Sequence, residues 1–480
     1  MGKILSQLIN RFDGGMILDK RLEVSNGFAL SRHFDTKTYP RKLVPRNNTE
    51  FAGLDETAIK ALNITRFLYG ERSAGVYKVF GLGQTPTGKT SIYYWSGTGW
   101  AQYNNMESST GGAESDEVFF LYKGFIYCFA GGKLQKIDIT SNVGFDEEYE
   151  ITSSTTRVQP VLHPADDCAY FFVDNLVYQL NDTVWASGLT LPANMEITSA
   201  CPEGNYLSIA CYDKENKKST VFRWDRDSSL TTLSDRVDFG TGRIEHLACL
   251  NNKLTAVVSN QPNVFIKQVS GNVGIIVEQL ISSATSLLTF EKTSQVIDEI
   301  LYFPMDLDYL DDEKMGIYSV NSNGKISIDF IVDGATSYQG IFNVNNAWWI
   351  GHSNNGSIAK ETAIPSSTMA CTYDTLILGN ALQNKKLNKV GLLFEPSNET
   401  LNDKAILKYR LREADNWIQI LTYTRDNISK NNIVFYDAVN IESTGETLPE
   451  YREIIFRIES YANMRITGFY YEYEILDTDL

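Results

Sequence analysis

The sequence VFFLYKGFIY, from Val118 to Tyr127, decides the fold of this chain. Two apolar, aromatic-rich runs flank the polar pair Lys-Gly, which predicts two β-strands joined by a tight turn. Similar segments follow at Tyr170–Tyr178 (YFFVDNLVY) and Leu247–Val258 (LACLNNKLTAVV), and the Asn-Gly pairs at 323–324 and 355–356 suit type I′ hairpin turns. The β-hairpin is therefore a repeated unit of this chain.

Strand groups of this kind recur roughly every 40 to 48 residues, whereas apolar residues at helical spacing are nearly absent. A period of about 40–50 residues built from four short strands is typical of β-propeller blades. We predict about seven blades, with six or eight left open and two stacked sandwiches as the alternative fold. The groups are Thr65–Tyr103, Glu117–Glu150, Val158–Leu191, Ile197–Phe239, Ile244–Leu280, Ser294–Val332 and Gln339–Leu378.

The last hundred residues have a different pattern. Charged and apolar residues alternate in Leu407–Arg412 (LKYRLR) and Ile455–Glu459 (IFRIE), as in antiparallel sheets with one buried face. The prediction is an all-β chain in three parts: an extended N-terminal arm over 1–61, a β-propeller over 62–383 and a β-sandwich over 384–480. One short helix is predicted near Asp55–Leu62.

Charge is unevenly distributed along the chain. The net charge is −16, which argues against nonspecific binding to duplex DNA. Residues 1–46 nevertheless hold nine Lys and Arg against four acids. A basic arm on an acidic body could dock on a neighbouring copy, and a solvated terminal segment is the equal alternative.

The six cysteines are scattered without a C-x-x-C motif, and most lie in apolar strand contexts. Buried thiols and synthesis in a reducing compartment are expected. The first residues contain no sustained apolar stretch, and no run anywhere approaches 18 apolar residues. The sequence therefore predicts neither a standard export signal nor a membrane span.

Groups that could carry chemistry are few. The four histidines, His33, His163, His246 and His352, are isolated from one another, and His163 is expected to be a surface or capping residue. The acidic run Asp306–Glu313 could hold Ca²⁺, but it lacks the EF-hand pattern, and a solvated loop is favoured. Gly81-Leu82-Gly83 starts like a dinucleotide motif and breaks at Pro86. We predict no catalytic, cofactor-binding or metal-binding residues, and no enzyme activity.

Carbohydrate chemistry is the main alternative. Propeller glycosidases act with carboxylates that line the central channel, and the sequence does not exclude such a pair among its 59 acids. Exposed tryptophans could stack on sugars, whereas packing inside blades is the more common use. The candidates are Trp95, Trp100, Trp348 and Trp349.

The two ends of the chain resemble those of tailed-bacteriophage structural proteins. The N-terminal stretch FDGGMILDKR over 12–21, followed by Gly27-Phe28, 33–35 (HFD) and 39–43 (YPRKL), resembles the opening of the short-tailed phage tail nozzle or tail hub family. The closing segments 456–459 (FRIE), 466–469 (ITGF) and 473–474 (YE) resemble the terminal β-domain of such proteins. The resemblance covers about the first 45 and the last 30 residues.

The resemblance implies a homo-oligomeric ring, often of six copies, below the portal and adaptor of a virion. That ring would form part of the channel through which DNA leaves without specific binding, and tail fibres would be further partners. An acidic wall that repels DNA agrees with this role. The implied location is the virion tail, after synthesis in the host cytoplasm. A host-encoded propeller scaffold for protein contacts is a third hypothesis, and it predicts a monomer.

Overall fold

The computed structural model describes residues 3–12, 16, 28–37, 41–52, 62, 64, 66–84, 90–105, 119–130, 133–141, 147–150, 158–181, 184–227, 235–281, 289–290, 293–307, 314–332, 335, 338–352, 357–379, 382–395, 403–412, 415–424, 441 and 445–476. Nearly all of the regular structure in these residues is β-strand. Three strands precede the first blade: β1 (Lys3–Ile9), β2 (Phe28–Arg32) and β3 (Asn47–Phe51).

Strands between Arg66 and Pro365 form seven consecutive antiparallel blades. Blade 1 contains β4 (Arg66–Ser73), β5 (Val76–Gln84), β6 (Thr90–Trp95) and β7 (Trp100–Asn105). Blade 2 contains β8 (Phe119–Tyr122), β9 (Phe125–Ala130), β10 (Lys133–Asp138) and β11 (Glu147–Glu150). Blade 3 contains β12 (Val161–His163), β13 (Cys168–Val173), β14 (Leu176–Asn181) and β15 (Val184–Thr190). Blade 4 contains β16 (Met195–Glu203), β17 (Tyr206–Asp213), β18 (Lys218–Trp224) and β19 (Asp235–Thr241).

The remaining blades continue the same order. Blade 5 contains β20 (Arg243–Leu250), β21 (Lys253–Asn260), β22 (Asn263–Ser270) and β23 (Val273–Ile281). Blade 6 contains β24 (Thr289–Phe290), β25 (Gln295–Ile297), β26 (Ile300–Asp306), β27 (Met315–Val320) and β28 (Ile326–Phe330). Blade 7 contains β29 (Tyr338–Val344), β30 (Ala347–His352) and β31 (Ser357–Pro365).

The seven blades close into a ring. Contacts between strands of neighbouring blades join β4 to β8, β12 to β16, and β16 to β20. They continue from β20 to β26 of blade 6, from β25 and β26 to β29, and from β29 back to β4. Blades 2 and 3 pack through a shared apolar cluster that includes Phe120 and Phe171. Because each small sheet buries apolar side chains on both faces, blades are stable only when stacked beside neighbours. The predicted propeller of about seven blades is confirmed.

Hairpin turns carry the repeat that the sequence displays. In blades 2, 5, 6 and 7, the turn after the innermost strand has two residues with positive φ, as type I′ geometry requires. The segment Tyr170–Tyr178 is a hairpin of the second and third strands of its blade, so it is not equivalent to the other two. The Asn-Gly pair at 323–324 does not form a type I′ turn, because only Gly324 has positive φ and Asn321 closes a longer loop. The pair at 355–356 lies outside the described residues.

The C-terminal part forms a β-sandwich with the first strands of the chain. Its strands are β32 (Cys371–Thr375), β33 (Leu378–Gly379), β34 (Lys385–Phe394), β35 (Lys404–Arg410), β36 (Ile418–Thr424), β37 (Glu450–Tyr451), β38 (Glu453–Tyr461) and β39 (Ile466–Ile475). One sheet has the order β1-β39-β34-β37, and the other runs β2-β32-β38-β35-β36. Their apolar faces meet at contacts such as Phe456 with Phe469, whose ring centroids lie 4.8 Å apart.

Strands of the N-terminal arm are divided among three sheets. β3 pairs with β31 as the fourth strand of blade 7, so a strand from the start of the chain completes the last blade. β2 lies between β28 of blade 6 and β32 of the sandwich, and it joins both into one continuous sheet. β1 pairs with β39 near the other end of the chain. The helix expected near Asp55–Leu62 falls on residues of which only Leu62 is described.

Candidate functional site

The four histidines do not meet in one site. His33 follows β2, His246 lies in β20 and both are buried, whereas His352 ends β30 and is half-buried. His163 was expected at the surface or as a cap, but its side chain is 1% exposed at the end of β12. It does cap the following turn, because its Nδ1 accepts from Ala165 N at 3.3 Å. The ring of Tyr170 packs against it, and its Nε2 lies 3.0 Å from the backbone carbonyl oxygen of Tyr206 in the next blade, neither of which sequence spacing reveals.

A charged cluster between blades 3 and 4 surrounds His163. Arg226 bonds to Asp166 Oδ2 at 2.5 Å and lies 3.1 Å from His163 Nδ1. The hydroxyl of Tyr170 donates to the same carboxylate at 2.6 Å, and burial with this acid raises the pKa of Tyr170. Each polar group of this cluster has a partner within it. The arrangement clamps two blades together, and it leaves Tyr170 protonated at neutral pH.

Carboxylates on the inner strands are also engaged. Glu203 binds Arg223 at 2.7 Å, and Glu196 binds Arg243 at 2.8 Å. Glu245 accepts from Ser259 Oγ at 2.6 Å, and Glu71 accepts from Gly75 N at 2.6 Å. Hydrolysis of glycosidic bonds needs one carboxyl group as the acid and a second as the base or nucleophile. On the described inner strands every carboxylate instead holds a partner of its own chain.

Three of the four candidate tryptophans are grouped where blade 1 meets blade 7, and Trp348 instead packs against Tyr302 of blade 6. Trp95, Trp100 and Trp349 contact one another edge to face, with ring centroids 5.4 to 5.8 Å apart. Trp349 and its neighbour Trp348 are buried, whereas Trp95 and Trp100 are half-buried. Interlocked rings at the seam stabilise the closure of the ring. Two of the four candidates nevertheless keep part of their surface open to solvent.

The acidic run and the glycine motif give no described site. Of the acidic run, Asp308 and residues 311–313 lie outside the described residues, as do residues 85–89 after the glycine motif. Among the residues that are described, no three His, Cys, Asp or Glu side chains are grouped as metal ligands. Five cysteines are buried and Cys249 is partly buried. The described part of the chain also contains no helix long and apolar enough to cross a membrane.

A buried ionic network fixes the arm where it closes the ring. We call Asp35, Arg46, Asp329 and Glu361 the closure network. Arg46, just before β3, binds Asp329 of β28 and lies 3.3 Å from Asp35. Glu361 of β31 accepts from Trp348 N at 3.1 Å and is coupled to Arg46 through its charge. The guanidinium of Arg46 therefore forms ion pairs with acids of the arm and of blade 6, and its charge also acts on an acid of blade 7.

Electrostatics in the closure network follow from burial. Loss of hydration raises the pKa of Asp329 to about 6 despite the attraction of Arg46. The neighbouring His33 ring is desolvated and lies close to Arg46, which lowers its pKa to about 3. His33 is thus neutral at physiological pH, and its Nδ1 accepts from Ile331 N at 3.2 Å. Sequence reasoning missed this network, because Asp35 and Glu361 are 326 residues apart in the sequence.

Basic residues of the arm contact the chain itself. Lys42 binds Glu395 of the sandwich at 2.5 Å, and Lys37 donates to the Lys325 carbonyl of blade 6 at 3.0 Å. Together with Arg46, these residues hold the arm against its own blades and sandwich. Docking of the arm on a neighbouring copy remains a prediction for its other basic residues.

Comparisons with known proteins give a likeness of shape only. No family model matches the chain, and no curated protein matches it. A solved structure of the extracellular domain of the hybrid two-component system BT4673 from B. thetaiotaomicron aligns with 12% identity and a TM-score of 0.46. It covers 74% of this chain, but this chain spans only 46% of that one.

Two further structures align at a similar level. BBS1N in complex with ARL6DN has 12% identity and a TM-score of 0.45, and covers 66% of this chain and 97% of that chain. A virginiamycin B lyase from Staphylococcus aureus has 14% identity and a TM-score of 0.44. The alignment covers 66% of this chain and 99% of the lyase chain. At these identities and scores the alignments carry no argument about function, and the propeller is assigned from its own seven blades.

Proposed function

We propose that this chain is a non-enzymatic structural component of a phage virion. In this proposal it forms part of a tail nozzle or hub ring around the DNA-exit channel, below the portal and adaptor. The family resemblance of both chain ends suggests the place in the virion. The physical support comes from the backbone pairing that joins the propeller to the sandwich.

The observation that carries the proposal is the continuity between the propeller and the sandwich. β2 hydrogen-bonds to both β28 and β32, and Lys42 binds Glu395 across the same junction. Backbone pairing resists displacement much better than a flexible linker does. A wall that must keep its shape while DNA passes needs this stiffness.

Chemistry at the surface agrees with a passive role. The net charge of −16 repels DNA, so a wall built of this chain would not retain it. Carboxylates of the described inner strands are held by basic side chains, hydroxyl groups or backbone amides, so they are poorly placed for turnover. We place the protein in the virion tail, after synthesis in the host cytoplasm.

Mass photometry of the purified chain over a range of concentrations tests the proposal. We expect a closed homo-oligomer, with six copies as the size that the resemblance favours, and ring-shaped particles in negative-stain images. A strict monomer that binds or cleaves glycans on an array would contradict it.

The second candidate is a carbohydrate-binding propeller, for which the half-buried Trp95 and Trp100 are the supporting observation. Glycan-array binding that is lost in Trp95→Ala and kept in Trp417→Ala, which removes a half-buried tryptophan of the sandwich, would favour it. The absence of any glycan binding by the wild-type chain on the array would exclude the carbohydrate-binding candidate.

A further inference from the structure

β1 is an edge strand with an apolar outer face. It pairs along all seven residues with β39, and no described residue pairs with its other edge. Ile4 is 60% exposed and Leu8 is 50% exposed, so both are among the most exposed large apolar side chains described. Leu8 also lies with Leu393 over Gly468, which extends the apolar surface across three strands. Unprotected edges of this kind readily pair with another strand.

The orientation of β1 is fixed by its inner face. Tyr471 donates to Gln7 Oε1, and Ile9 packs against the core of the sandwich. Because side chains alternate along a strand, Ile4, Ser6 and Leu8 share the outer face. A slip by one residue would bury Ser6 and expose Ile9, so this register is well specified.

The outer face is self-complementary. Ile4 and Leu8 lie two residues on either side of Ser6, so an antiparallel copy centred on Ser6 brings Ile4 opposite Leu8 of the other copy and the reverse. Lys3 is the only charged residue of β1 and stands at its end, away from its symmetry mate. Natural edges are often protected by a charge in mid-strand, which β1 lacks.

Local charge also permits contact between two copies. In the same sheet, Glu474 and Glu472 of β39 lie opposite Lys386 and Lys389 of β34. This face is therefore close to neutral, although the chain as a whole carries −16. Self-association of an acidic protein is least opposed where local charges balance.

We propose that β1 pairs with β1 of a second copy of this chain, antiparallel about a two-fold axis at Ser6. The four-stranded sheet of each copy then continues into the other, and the contact is isologous. This inference does not depend on the virion role, because a two-fold contact forms with or without a ring. A seven-residue edge gives an interface at the small end of the usual range, so association in the micromolar region is expected.

Cysteine cross-linking of the full chain tests the register. Directly opposite residues of antiparallel strands lie about 4.5–5.5 Å apart between Cα atoms, a separation that a disulfide can span. We expect Ser6→Cys to form a disulfide-linked dimer on mild oxidation. Ile4→Cys mixed with Leu8→Cys should cross-link, whereas each of these variants alone should not. Val76→Cys, exposed in blade 1, is the control for random collision.

Sedimentation velocity of charged variants tests the affinity. Ile4→Lys/Leu8→Lys should raise the dimer dissociation constant at least tenfold, while Leu162→Lys/Val296→Lys, equally exposed on the propeller, should leave it unchanged. A dimer that survives Ile4→Lys/Leu8→Lys overturns the inference, and so does Ser6→Cys cross-linking no better than Val76→Cys. Protection of Ser6→Cys from maleimide in a strict monomer also overturns it, because another segment of the same chain then covers the edge.

The outcomes separate the inference from the proposed function. A ring whose Ser6→Cys variant does not cross-link leaves the virion role standing and overturns the β1 contact. A cross-linked dimer that never forms larger species supports the contact and contradicts the ring.

Discussion

Gln159 and Ser294 lie on opposite sides of the propeller and are hydrogen-bonded across its axis. Gln159 precedes the innermost strand of blade 3, and Ser294 precedes that of blade 6. The side-chain oxygen Oε1 of Gln159 accepts from Ser294 N at 3.0 Å and from Ser294 Oγ at 3.4 Å. The axial channel is bridged at this end, so any DNA channel in the proposed assembly must run between copies.

Cross-linking will detect this bridge. We expect Gln159→Cys/Ser294→Cys, treated with a short bifunctional maleimide, to give an intramolecular link identified by peptide mass spectrometry. The control pair Asn205→Cys/Ser294→Cys should not react, because Asn205 is in a turn at the far end of the inner strands. Equal yields from both pairs would contradict the blade arrangement.

Loss of Arg46 should be far more damaging than loss of Lys42. Arg46→Met leaves Asp35 and Asp329 buried without their cation, and removing one partner from a buried ion pair costs about 3–5 kcal/mol. Lys42→Met removes a partly exposed pair with Glu395, for which about 0–1 kcal/mol is expected. Urea unfolding followed by fluorescence gives both values. If the two substitutions cost the same, the closure network does not fix the arm.

His33 should make stability fall in acid. Its pKa is about 3 in the folded chain against 6.5 ordinarily, so below pH 6.5 the unfolded chain binds a proton that the folded chain does not. Stability from this residue is complete above pH 6.5 and is lost as the pH falls towards 3, by up to about 1.4 kcal/mol per pH unit.

The matched variant is His33→Asn, since His33 has a φ of 65° and Asn tolerates the left-handed region. Unfolding free energies of both proteins should be measured between pH 7 and pH 4. The wild type should lose stability relative to the variant as the pH falls, and parallel curves would exclude titration of His33.

Gly379 should tolerate no side chain. A Cβ there would lie 2.2 Å from the Arg452 carbonyl oxygen, and its φ is +124°. Gly97 has a similar φ of +113° with no atom within 4 Å of the added carbon. Gly97→Ala should cost about 1–3 kcal/mol of backbone strain, and Gly379→Ala should cost clearly more, because it adds a steric clash. Thermal unfolding of the two variants measures the stability that each loses. Equal losses would mean that backbone strain accounts for both and that the clash with the Arg452 carbonyl oxygen adds nothing.

Much of the blade repeat could be predicted from short-range pattern. The spacing of apolar runs gave seven groups whose limits follow the observed blades closely, because a strand and its hairpin partner are neighbours in sequence. The pattern does not show which two strands of a blade a hairpin joins. Tyr170–Tyr178 therefore looked equivalent to Val118–Tyr127, although the first joins strands two and three of its blade and the second joins strands one and two. The seventh predicted group also ran on to Leu378, although Cys371–Thr375 pairs with the sandwich strand β38.

Candidate site residues were harder to predict. The burial of His163 depends on Tyr206 and Arg226 from the next blade, and the closure network joins Arg46 to Asp329 across 283 residues. Such pairings leave no periodic signal, because no local spacing links the partners.

By itself, the sequence determined an all-β chain, a repeat of about seven strand groups and a C-terminal segment with a different, alternating pattern. These features depend on side-chain alternation and on turns, which act over a few residues. Only the tertiary structure decided where the N-terminal strands go, with β3 completing blade 7, β2 joining blade 6 to the sandwich and β1 left at an edge. Strands far apart in the sequence pair where the rest of the fold leaves an unpaired sheet edge and an apolar face to cover. Those edges and faces exist only after the propeller and the sandwich have formed, so local sequence pattern does not predict the pairing.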